Sequence, residues 1–172
     1  TVVFAPVNCG YHPVDYPVGK LYQWGRADGS GYNDGTTYME NIIQEYTTAA
    51  YGWSGSGTAS PNASKFYGGS GADNHWCRNA GGEDFWTDYY NTTTEYDPCP
   101  EGWRVSKSYN IDDLLTRYEW GEHNGYYGMW ASGYINVDEA GDAKIFVPAA
   151  GMRISDGTSQ KRNVEGKYWG AQ

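Results

Sequence analysis

Three small groups of residues in this chain carry side chains capable of covalent or acid–base chemistry. His75, Trp76 and Cys77 are consecutive. A thiol beside an imidazole can serve as nucleophile and base. Catalytic Cys–His pairs, however, are assembled from separate parts of a fold and not from sequence neighbours. The run therefore reads as a loop histidine next to a buried thiol. Glu83–Asp84 and Asp138–Glu139 supply paired carboxylates. Glycoside hydrolysis needs two carboxyl groups facing each other across a sugar, which adjacency in a turn does not provide. Both pairs read as solvated turn charges. His12 and His123 complete the set of three histidines, and none of the three stands in a metalloprotease or nucleophile-elbow motif. The chain is read as non-catalytic, with a sugar hydrolase acting through Glu83 or Asp84 as the last-ranked alternative.

Cofactor chemistry is equally sparse. The Gly-Gly-Ser-Gly run at 68–71 is followed by neither Lys-Ser/Thr nor a helical pattern, so it reads as a flexible turn and not as a phosphate cradle. The oxygen-rich turns at 32–35 (YNDG) and 138–142 (DEAGD) could lend ligands to a structural Ca²⁺, but EF-hand spacing is absent. No other cofactor or metal site is expected.

The remaining chemistry is that of recognition. Residues 47–96 contain no Val, Leu or Ile and are built from Gly, Ser, Thr, Asn, Asp and aromatic residues. Rigid rings give contact area at small entropic cost, and such mixtures furnish binding loops. Trp53, Tyr67, Trp76, Trp86, Tyr89 and Tyr90 are the candidate ligand-binding residues, for a glycan or a surface protein. The competing reading is that the rings form the core of a loop-rich fold short of aliphatic residues, and about half of them are expected to do so.

Elements that must hold this region are recognisable on both sides of it. The runs 1–7 and 19–26 read as strands, the second with Tyr22 and Trp24 on one face. Met39, Ile42, Ile43 and Tyr46 follow a helical period after a Thr37–Glu40 capping box. Ile111, Leu114, Leu115 and Tyr118 repeat that period after Asn110, with Asp112 and Asp113 suited to a helix N-terminus. Residues 127–137 and 143–154 read as strands around a turn at 138–142, and 166–170 as a short final strand. The expectation is a single α+β domain over residues 1–172: two short helices, antiparallel strands and one long irregular region.

A chain of 172 residues suits one compact domain. Its formal net charge of −9 repels phosphate backbones, which excludes nucleic acid as a partner. No apolar run approaches the length of a membrane span, and the first residues read as a strand, as in a mature or excised piece. The three cysteines, Cys9, Cys77 and Cys99, fit no zinc pattern. They permit one disulfide, for which Cys9–Cys99 is preferred because both flank rigid segments; three reduced thiols are the alternative.

The most rigid of those segments is Asp-Pro-Cys-Pro-Glu-Gly-Trp-Arg-Val at 97–105. Two prolines fix φ and a glycine admits unusual angles, so a tight corner is expected, with Trp103 as its buried anchor. Taken in order, NCGY (8–11), GKLYQWGR (19–26), DPCPEGWRV (97–105), FVPAAGMR (146–153) and KYWG (167–170) resemble the Fibrobacter succinogenes major paralogous domain of bacterial surface proteins. The resemblance spans nearly the whole chain. It implies a C-type-lectin-like fold and an extracellular place on the bacterial outer surface, often in a lipoprotein or fimbria-associated module with neighbouring domains. It implies recognition in adhesion or surface assembly, or else a structural spacer with no ligand of its own. Two departures stand out. Ser106-Lys107 replaces the family's Pro-Thr, and the chain ends at Gln172, where a closing strand is expected to follow.

Overall fold

The computed structural model describes residues 2–23, 26–32, 86, 93–94, 96–154 and 157–170. These residues form a small α+β arrangement of antiparallel sheets and one helix. The helix expected over 36–46 and nearly all of the aromatic region 47–96 lie outside the described residues.

The largest sheet has three strands, β3 (Tyr118–His123), β4 (Tyr126–Ala131) and β5 (Ile145–Pro148), in that spatial order. Two residues, Asn124 and Gly125, join β3 to β4, with φ of 52° and 80°. Positive φ at both central positions is what a type I′ turn demands, and its twist matches that of the flanking strands. Trp120 pairs with Met129 and Gly121 with Gly128 in the register so fixed. On the other side of β4, Trp130 pairs with Phe146. Gly128 lets this pairing close: a Cβ there would stand 2.5 Å from the carbonyl oxygen of Val147 and 2.8 Å from the Phe146 ring. The bare backbone is roofed by an aromatic side chain instead.

Two further sheets are small antiparallel pairs. β1 (Leu21–Tyr22) pairs with β2 (Gly29–Ser30), and β6 (Met152–Arg153) with β7 (Ser159–Gln160). The expected continuous strand over 143–154 is therefore broken. Ala149, Ala150 and Gly151 are buried between its halves. The Ala149 N–H still donates to the Tyr127 carbonyl of β4, but the Ala149 carbonyl accepts from the Asn163 N–H and the Gly151 N–H donates to the Glu165 carbonyl, so beyond that N–H the backbone pairs away from the sheet. Gly151 has φ of +81°, and a Cβ there would meet Tyr32 and the Gln160 carbonyl at 2.6 Å. The expected strands over 1–7 and 166–170 are absent as strands among the described residues; the latter contributes a single bridge, Gly166 to Gly151.

The second expected helix is present but displaced. α1 runs Ser108–Leu114, starting before Asn110, which therefore does not cap it. The Leu114 carbonyl accepts the Gly133 N–H, so an otherwise unpaired helix-end acceptor is used by the loop after β4. Tyr118 belongs to β3 and not to the helix, because the Asn124-Gly125 turn commits its flanks to a hairpin.

Residues far apart in sequence are tied together at the C-terminal run. Tyr168 Oη donates to the Pro148 carbonyl at 2.5 Å and accepts from Asn8 Nδ2 at 3.1 Å. Trp169 Nε1 donates to the Tyr22 carbonyl, and its ring meets Trp86 edge to face at 6.3 Å between centroids. Trp86 is 3% exposed and donates from Nε1 to the Arg26 carbonyl.

Candidate functional site

The corner at 97–105 is built differently from the sequence expectation. Trp103 is 43% exposed and is not the anchor. The Asp97 carboxylate does that work: Oδ1 accepts the Cys99 N–H at 2.8 Å and Oδ2 accepts the Val105 N–H at 3.1 Å. A charged acceptor serving two backbone donors is a strong local clamp. The turn closes with the Trp103 N–H on the Pro100 carbonyl, which directs the indole outward.

The corner also meets the N-terminal segment. Cys9 Sγ donates to the Pro98 carbonyl oxygen at 2.9 Å and to Tyr22 Oη at 3.3 Å, and Pro98 directly precedes Cys99. Both are free thiols in this structure, so the expected pairing is present as proximity and not as a bond. The thiol of Cys9 is lowered to about 7, chiefly because the Cys99 S–H donates to its thiolate, with Tyr22 Oη helping and burial opposing. Cys99 moves the opposite way, raised first by its bond to Cys9 and then by burial and the Asp97 charge.

Of the six aromatic candidates, only Trp86 falls among the described residues, and it is one of those that serve as core. An indole with 3% exposure, hydrogen-bonded and packed on Trp169, anchors the fold and offers no face to a ligand. Trp53, Tyr67, Trp76, Tyr89 and Tyr90 lie outside the described residues, as do His75, Cys77, Glu83 and Asp84. Asp138 and Glu139 are both exposed on a turn. Among the described residues no group of three or more His, Cys, Asp or Glu side chains could hold a metal ion.

Among the described residues, the β3–β4 hairpin carries a cluster of exposed, mutually ordered aromatic rings. Strand alternation and the observed register place Tyr118, Trp120, Glu122, Tyr127 and Met129 on one face. Tyr118, Trp120 and Tyr127 are 47%, 52% and 40% exposed. Their rings are mutually ordered. Tyr118 meets Trp120 edge to face at 6.1 Å, and Trp120 stacks on Tyr127 at 5.5 Å with planes 8° apart. Each of the three presents an apolar ring to water while a backbone ladder and its neighbours restrict its motion. The hydroxyls of the two tyrosines and the Glu122 carboxylate add hydrogen-bonding groups to the same surface.

The opposite face carries a second cluster. His123, Trp130 and Phe146 lie 5.1 to 5.3 Å apart between ring centroids. Beside them an open cavity of about 410 Å³ is lined by Glu119, Trp130, Gly141, Asp142 and Lys144, with Lys144 Nζ 2.6 Å from Glu119 Oε1. The sequence signal for this hairpin was the Asn124-Gly125 dipeptide between ring-rich runs. It was obscured because Tyr118 also completes the helical spacing of Ile111, Leu114 and Leu115.

No family model, curated protein or solved structure matches this chain. Among the described residues no helix is long and apolar enough to cross a membrane.

Proposed function

We propose that the protein is a non-catalytic recognition module of C-type-lectin-like fold, displayed on the outer surface of a bacterium, that binds a neutral glycan on the β3–β4 face. The observation that carries this reading is the exposed ring platform Tyr118–Trp120–Tyr127. Ordered apolar patches on a surface mark sites of interaction. Sugar rings present C–H faces that lie well on indole and phenol rings, and their hydroxyls need acceptors and donors such as Glu122 and the tyrosine hydroxyls. The net charge of −9 disfavours acidic polysaccharides and so selects for uncharged ones. The lectin-like fold and the surface location rest on the ordered motif blocks, above all the corner at 97–105.

A screen of immobilised neutral glycans with the wild-type chain and with Trp120→Ala tests this. Binding by the wild type that the variant loses, with unchanged circular dichroism, supports the reading. Wild-type silence across the screen sinks it and favours a structural spacer.

A further inference from the structure

We propose that Cys9 and Cys99 form a thiol–disulfide exchange site, with Cys9 as attacking sulfur and Cys99 as resolving sulfur, that closes a covalent staple between the N-terminal segment and the 97–105 corner. This goes beyond the recognition reading and does not depend on it.

The geometry is unusually well fixed for two residues 90 positions apart. Cys9 is held by its own carbonyl, which accepts the Lys20 N–H at 3.1 Å. Cys99 is held by its N–H on Asp97 Oδ1. Cys9 Sγ also rests on the carbonyl of Pro98, the residue directly before Cys99. Both thiols are half-buried, and neither is sealed from solvent.

The chemistry balances with a low-molecular-weight or protein disulfide as oxidant. The Cys9 thiolate attacks one sulfur of that disulfide, forming a mixed disulfide and expelling one thiolate. Cys99 then attacks the Cys9 sulfur and expels the second. Two protein thiols are oxidised to one disulfide, the donor is reduced to two thiols, and the two protein protons end on them. The division of labour follows from the site: Tyr22 Oη and Cys99 both support a thiolate at Cys9. The leading cause that keeps Cys99 protonated is its bond to Cys9, and that bond is lost once Cys9 sits in the mixed disulfide.

The test is to treat the reduced full-length chain with oxidised glutathione and digest it with trypsin under non-reducing conditions. Cleavage after Lys20, Arg78 and Arg104 leaves Cys9, Cys77 and Cys99 on three separate peptides. The expected product links peptide 1–20 to peptide 79–104, with the whole chain lighter by two hydrogen atoms. Cross-linking a loop of this length should raise Tm by about 10 °C. Cys99→Ser should instead accumulate a glutathione adduct on Cys9. Glutathione adducts on the wild type without that cross-link, or a bridge formed preferentially to Cys77, would overturn the proposal.

Discussion

The indole of Trp120 and the phenol ring of Tyr127 lie within 8° of parallel on the solvent side of the β3–β4 hairpin. They are diagonal neighbours across the strand pair, a separation that aromatic side chains can span. Each ring therefore orders the other, and a ligand meeting them needs to restrict little further motion. Tyr127→Ala should weaken glycan binding about tenfold by leaving Trp120 without its stacking partner, at a stability cost of about 1 kcal/mol. Titration calorimetry and urea unfolding of the same variant separate the two effects.

Trp86 makes the opposite prediction. Its ring is enclosed against Trp169 and its N–H is used by the Arg26 carbonyl. Trp86→Ala should cost about 3–5 kcal/mol, as expected for an aromatic cavity. Glycan affinity per folded molecule should stay unchanged, which binding measured below the lowered Tm will check.

At Gly128 a side chain would collide with backbone and not merely with flexible atoms. A Cβ at 2.5 Å from the Val147 carbonyl forces β4 and β5 apart. Gly128→Ala should destabilise by about 1–3 kcal/mol despite the better strand propensity of alanine. Hydrogen exchange should accelerate first in the β4–β5 ladder.

Tyr168 joins the two ends of the chain through its hydroxyl. Burial raises its pKa to about 12, with the Asn8 hydrogen bond opposing. The ring is partly exposed while the hydroxyl sits inside, between Asn8 and Pro148. The folded value lies above the unfolded one, so the folded state binds more protons between about pH 10 and pH 12. Stability is accordingly lost as pH rises through that window. Tyr168→Phe should lower stability at neutral pH by about 1–3 kcal/mol, since two polar partners lose their bond. It should also make the alkaline decline shallower, as denaturation at a series of pH values will report.

Cys9 offers a second pH-dependent readout. Its alkylation by iodoacetamide, followed on peptide 1–20, should be half-maximal near pH 7, below the ordinary thiol value of about 8.5. Cys99→Ser replaces a thiol donor by a hydroxyl donor and should keep the midpoint low; Cys99→Ala should move it upward.

Some of this architecture was legible in the residues. The class of fold followed from helical spacing at 111–115 and strand-like runs at 127–154. A disulfide between Cys9 and Cys99 is expected because each adjoins a stiff segment; both are free thiols here, with Cys9 Sγ on the carbonyl of the residue before Cys99. Other readings failed for identifiable reasons. Tyr118 satisfies both a helical and a strand pattern, and only the Asn124-Gly125 turn decides between them. The strand read through 149–151 is diverted by hydrogen bonds to Asn163 and Glu165, partners whose approach no local pattern reveals. Trp103 is expected as the buried anchor of the corner, but Asp97, a short charged acceptor, holds it instead. Trp86 packs edge to face on Trp169, more than eighty positions away, a contact that composition cannot show.

The recognition reading is most directly tested by following the tryptophan indole N–H resonances of isotope-labelled protein during titration with a glycan taken from the screen. The Trp120 signal should shift in a saturable manner while that of Trp86 stays in place. A glycan that binds and leaves Trp120 unmoved would contradict a site on the β3–β4 face.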